Sequence, residues 1–150
     1  MSAIKELYTK LRTATYDHFV ANGNAPTIDA LAKQTGITQQ AIEAALREME
    51  QEHILVLQED TAEILMAIPF SAVPTSFKVD SGGVDYWANC MWDALGIPAA
   101  LHQDSRIVTQ CQDCGEEMML SIESGQLQGD QGVVHFILPP KQWWDDIVFT

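Results

Sequence analysis

The sequence predicts an α+β protein, with a winged-helix-like three-helix module followed by a small mixed or antiparallel sheet module. Three observations carry that expectation. Sustained helical periodicity covers about the first fifty residues, two threonines stand where helix caps are needed, and later apolar runs are short and punctuated by turn formers. The boundary falls between residues 66 and 67, giving modules of 1–66 and 67–150.

Residues 3–20 predict an amphipathic helix. Ile4, Leu7, Tyr8 and Leu11, then Tyr16 and Phe19, recur at spacings that line one face, and the following ANGNAP supplies turn formers. Thr27 caps a second helix, with Ile28, Leu31 and Ala32 as its apolar contacts. Gly36 interrupts it, and Thr38 caps a third helix to about Glu50, with Ile42, Ala45, Leu46 and Met49 inward. The segments 53–57 and 62–66 flank QEDT as a hairpin.

The second module begins with an extended crossing between Pro69 and Pro74. Phe77, Val79 and Val84 continue as a strand broken by Gly82 and Gly83. Residues 86–95, YWANCMWDAL, predict a short helix ended by Gly96 and Pro98. Residues 106–109 and 118–122 predict two strands bridged by QCQDCGEE. The run 133–138 predicts an interior strand, and KQWWDDIVFT a turn or short helix entering another strand.

Charge narrows the choice of partner. The 150 residues have a formal net charge of −13, with −4 in residues 1–60 and −9 in residues 61–150. That surface repels phosphate backbones and anionic lipid and favours a cation or a substrate carrying one. The third helix would be the recognition helix of a DNA-binding winged helix, yet it sets Arg47 against Glu43, Glu48 and Glu50. Packing against the second module is therefore preferred over nucleic-acid binding. No window approaches the ~18–20 apolar residues of a membrane span, and the first residues lack a signal peptide's apolar centre. Three cysteines, an odd number, favour reduced thiols in a cytoplasmic setting over a disulfide scaffold.

Cys90 and Asp93 are the foremost candidates for chemistry. Three residues apart on a helix, a sulfur and a carboxylate address one ligand. Thiolate is the nucleophilic and metal-binding form, and the carboxyl group can pass a proton. The structural alternative is a buried, inert cysteine. Trp87 and Trp92 flank Cys90 and would form an apolar rim. Cys111 and Cys114 form CQDCG, half of many zinc sites; Cys90, His102 and His135 are candidates to complete it. The same pair also allows redox chemistry or a plain tight turn. His135 is expected in the core or an interface, and Trp143 and Trp144 as an apolar plug at the sheet edge.

The segments FSAVPTSFKVDSGGVDYWANCMWDALGIPAAL, RIVTQCQDCGEEMMLSI and VVHFILPPKQWWDDIVFT together resemble the alkylmercury (organomercurial) lyase family over about residues 66–150. The most specific match is Cys90 and Asp93, after an aromatic residue and before an isoleucine-proline-alanine turn. The resemblance implies protonolysis of carbon–mercury bonds. Cys90 would be the first mercury ligand, and Asp93 the proton donor and auxiliary metal ligand. Mercury is then substrate and product, external thiols are co-reactants, and no organic cofactor is needed. Cys111 is similar to a family cysteine with a structural role, and zinc at Cys111 and Cys114 is a further expectation. The family's second catalytic cysteine falls at or next to Thr150, where this sequence has none. Three readings follow: the protein continues, Cys111 or Cys114 supplies the second sulfur, or the fold serves a non-catalytic soft-metal-binding or regulatory protein. Oligomeric state is not legible.

Overall fold

A computed structural model describes residues 3–129 and 132–148. Helix α1 spans Ala3–Asn22, α2 Ile28–Thr35 and α3 Gln39–Gln51. Both expected caps form: Thr27 accepts a hydrogen bond from the Ala30 amide at 3.1 Å, and Thr38 one from the Ala41 amide at 3.4 Å. Gly36 closes α2 with a left-handed φ of 72°. Polar contacts tie the three helices together. The Tyr8 hydroxyl donates to Glu48, and Lys10 Nζ donates to the Thr35 carbonyl at 2.7 Å.

Eight strands follow, β1 Val56–Leu57, β2 Ile64–Ala67, β3 Phe70–Ser71, β4 Lys78–Ser81, β5 Val84–Ala88, β6 Ser105–Gln110, β7 Glu117–Glu123 and β8 Gln126–Gly129. They make one antiparallel sheet in the order β1-β2-β3-β5-β4-β6-β7-β8. One register row, Tyr86–Val79–Ile107–Leu120, crosses four strands and is buried throughout, while their neighbours Asp85, Asp80 and Arg106 point to the open face. Helix α4, Met91–Leu101, packs on β4, β5 and β6, and α1 also contacts β5.

The helices and the sheet share one core. Phe70 stacks on Phe19 of α1 at 5.1 Å between ring centres and meets Tyr86 of β5 at 5.4 Å, and the Tyr86 hydroxyl donates to the Val20 carbonyl at 2.8 Å. Gly23 ends α1 against β5. It has φ +72°, and a Cβ there would lie 2.1 Å from the Asp85 carbonyl oxygen. Gly23→Ala is expected to destabilise the fold by at least about 1–2 kcal/mol, the cost of a left-handed non-glycine residue before the clash is counted. Urea unfolding measures it.

Five expectations need correction. The region 86–95 is not one helix, because β5 continues to Ala88 and α4 begins at Met91. Gly96 and Pro98 do not end α4, which runs through both to Leu101. Ala94 and Ile97 are buried on this helix, and that packing outweighs local helix propensity. The run 133–138 is not an interior strand: it pairs with no described strand, and Val133 is 91% and Ile137 78% exposed. His135 is exposed with it. KQWWDD does form a 3-10 helix, Pro140–Asp145, but Ile147 and Val148 follow in a turn rather than a strand, and Phe149 and Thr150 lie outside the described residues. The sheet also has a strand that the sequence reading missed, β8, reached through Ser124 and Gly125 with φ 52° and 75°. Two consecutive left-handed residues are the signature of a two-residue hairpin turn.

Candidate active site

Cys90 occupies the N-cap of α4, just after β5 turns away from the sheet, and Asp93 sits in the first helical turn. This spacing is that of a capping box, with a sulfur in place of the usual hydroxyl and a carboxylate three residues on. The two side chains therefore face each other at the positive end of a helix. Both line one pocket of about 190 Å³ with Met66, Ile68, Asn89, Trp92, Phe136, Trp143, Ile147 and Val148. Its wall is mostly apolar. The polar groups converge at one end, where Asn89, Cys90 and Asp93 meet.

Burial governs the protonation of this pair. Asp93 is only 7% exposed, and loss of solvent pushes its carboxyl above the ordinary aspartate range. Hydrogen bonds from Asn89 and Cys90 act in the opposite sense without cancelling it. Burial likewise pushes the Cys90 thiol up. The Asp93 and Trp92 amides favour the thiolate, although neither makes a capping hydrogen bond to the sulfur, while the nearby Asp93 carboxylate disfavours it. The result is a thiol and a carboxyl group that both hold protons more tightly than in water. Such a pair can share a proton and deliver it.

Asn89 fixes the carboxylate. Its Nδ2 donates to Asp93 Oδ2 at 3.0 Å and to the Pro69 carbonyl at 3.4 Å, tying the start of α4 to the β2–β3 connection. On the same connection, the Tyr16 hydroxyl donates to the Ile68 carbonyl at 2.7 Å, so α1 braces that side of the pocket. Sequence reading missed both residues. A lone asparagine before a cysteine carries no signal, and Tyr16 belongs to the α1 stripe by periodicity. Asn89→Ala is expected to raise the Asp93 titration further, because a hydrogen bond favouring the charged form is lost. Carboxyl NMR titration checks the direction.

The remaining wall comes from the irregular C-terminal segment. Phe136 packs against Trp92 at 6.2 Å and Trp143 at 5.0 Å between ring centres, and Trp143 Nε1 donates to the Leu138 carbonyl at 3.0 Å. Trp144 stacks on His53, just past the end of α3, with ring centres 4.3 Å apart. Trp143 and Trp144 thus attach this segment to the pocket and to the helical module. Trp92, 60% exposed, stands at the rim; Trp87 does not line the pocket.

Cys111 and Cys114 lie elsewhere, in the β6–β7 turn, and neither lines the Cys90 pocket. His102 ends α4, and no group of three His, Cys, Asp or Glu side chains suited to a metal occurs among the described residues. The expectation that His102, His135 or Cys90 completes a four-ligand site with Cys111 and Cys114 therefore finds no geometric support. No described helix is long and apolar enough to cross a membrane.

The alkylmercury lyase (MerB) family model matches residues 70–150, which include every cysteine of the sequence as well as Asp93. The chain belongs to the alkylmercury lyase family. Among solved structures, the mercury-bound form of MerB2 is similar, with 28% sequence identity and a TM-score of 0.65, covering 83% of this chain and 59% of that one. This lyase-family chain therefore spans less than two thirds of that neighbour. A search of curated proteins gave no match.

Proposed function

We propose that this lyase-family protein cleaves carbon–mercury bonds by protonolysis. The observation that carries the reading is the convergence of Cys90 and Asp93 at the polar end of one apolar pocket. Soft sulfur selects soft mercury, and the apolar wall suits the organic group. An organomercury–thiol adduct would exchange its thiolate for Cys90, the Cys90 proton leaving with the displaced thiol. The buried Asp93 carboxyl then delivers a proton to carbon as the mercury–carbon electron pair forms the new C–H bond. A second external thiol restores the Asp93 proton and, as thiolate, takes the vacated position on mercury. A further thiol exchange frees Hg(II) and returns Cys90 to its protonated form. Each step is an exchange or proton transfer, so neither oxidant nor organic cofactor is required.

External thiol is assigned the second sulfur because neither Cys111 nor Cys114 lines the pocket. On this reading the protein acts in a cytoplasmic setting rich in reduced thiols. Residues 1–66 form a winged-helix-like module that buttresses the pocket through Tyr16 and His53 rather than reading DNA, and residues 67–150 form the lyase module. Mercury is handled as substrate and product, with Cys90 and Asp93 as its ligands.

Incubation with a phenylmercury–thiol adduct and excess thiol tests the reading. Benzene formed over several turnovers is expected. Stoichiometric mercury uptake without benzene would replace the lyase by a soft-metal-binding protein of the same fold.

A further inference from the structure

We infer that the Cys111–Cys114 turn is a second thiol site, separate from the Cys90 pocket, that captures a soft cation preferring two sulfur ligands, with Hg(II) the foremost example. The turn is closed by the Cys111 amide donating to the Glu116 carbonyl and the Gly115 amide donating to the Cys111 carbonyl, both at 2.8 Å. That closure folds residue 114 back over residue 111. Residues 112–114 form the turn, and a turn of this kind holds its first and fourth Cα atoms within about 7 Å. Cys114 is exposed and Cys111 partly so, leaving the pair open to an ion from solvent.

The number of donors decides the class of cation. Structural zinc takes four ligands, and the described residues contain no group of three His, Cys, Asp or Glu side chains suited to a metal. Two thiolates alone suit a soft ion that accepts linear coordination. Binding is a proton exchange: Hg(II) takes two sulfurs and two protons leave, with no change of oxidation state.

The site also has a suggestive position. Trp87 and Val108 both pair with Lys78, so β5 and β6 run parallel to each other on either side of β4. Cys90 and Cys111 each follow three residues later, both leaving the same end of the sheet. The strands are roughly 10 Å apart, two interstrand spacings. An ion leaving Cys90 on an external thiol would meet this dithiol nearby; that role as acceptor rests on the lyase reading, whereas the site itself does not.

The test uses the reduced Cys90→Ser variant of the 150-residue chain, whose only cysteines are Cys111 and Cys114, with mercuric chloride as probe. One ion per chain, with both thiols lost together, is expected. A short tether gives the second thiol an effective concentration in the millimolar range. The ion should therefore resist a sub-millimolar monothiol about tenfold or more better than in Cys90→Ser/Cys111→Ser or Cys90→Ser/Cys114→Ser. Equal release from all three proteins would overturn the proposal, as would tight zinc binding by the Cys90→Ser variant. Should either double variant misfold, phenylarsine oxide decides: one equivalent bridging both thiols of Cys90→Ser supports the pair, and two independent thiols refute it. Because Cys90 is absent throughout, a failed lyase assay on the unmodified protein leaves this result unaffected.

Discussion

Cys90→Ser is expected to abolish release of the protonated organic product, a loss on the order of 10³-fold or more, as for removal of an enzyme's nucleophile. The substitution keeps a small hydroxyl at the N-cap of α4, where serine is favoured, so the helix start should remain intact. What disappears is the only thiol lining the pocket among the described residues. A hydroxyl is a hard, weak ligand that does not hold mercury against excess thiol. Headspace measurement of benzene from the phenylmercury adduct, together with an unchanged circular dichroism spectrum, would separate lost chemistry from lost fold. Sustained benzene release would remove Cys90 from the mechanism.

Asp93→Asn is the second large effect, with turnover reduced about 10²–10⁴-fold, the usual contribution of a positioned acid or base. The variant is nearly isosteric, so the pocket keeps its volume while losing its proton. Burial keeps Asp93 protonated to higher pH than an ordinary aspartate. Turnover limited by this acid should therefore fall as pH rises through the elevated Asp93 pKa, and the residual activity of the variant should lack that fall.

The substitution is expected to act on stability in the opposite direction from activity. A folded-state pKa above the unfolded value favours the folded state fully below the unfolded pKa, and that contribution is lost as pH rises through the folded one. At neutral pH the buried carboxylate is thus a cost, and Asp93→Asn should be at least as stable as the parent. Unfolding curves recorded below the ordinary aspartate range and at neutral pH measure both arms. A variant that is both inactive and clearly less stable at neutral pH would make Asp93 a structural residue.

Much of this architecture was legible where local chemistry alone decides it. Thr27, Gly36 and Thr38 mark helix ends by their own hydrogen bonds and backbone angles, and the α3 stripe faces the core as its spacing requires. The sequence reading failed where a distant partner decides. Gly96 and Pro98 signal a helix end, but the sheet beneath α4 keeps the helix going. The apolar run 133–138 has the composition of a strand, yet lacks a strand to pair with among those described. At the candidate site, Cys90 and Asp93 were visible because their separation along the chain is short. The pocket around them is assembled from Met66, Asn89, Phe136 and Trp143, and no spacing rule joins residues so far apart.

The two sides of that pocket are built differently. Cys90 and Asp93 stand on a helix bedded on the sheet, whereas Phe136, Trp143 and Val148 come from an irregular stretch that meets Trp92 and His53 through ring contacts. On the lyase reading, a firm anvil beneath an irregular cover would hold Cys90 and Asp93 in place while accommodating carbon groups of varied bulk. Discrimination would then come from the affinity of sulfur for its metal rather than from the outline of the cargo.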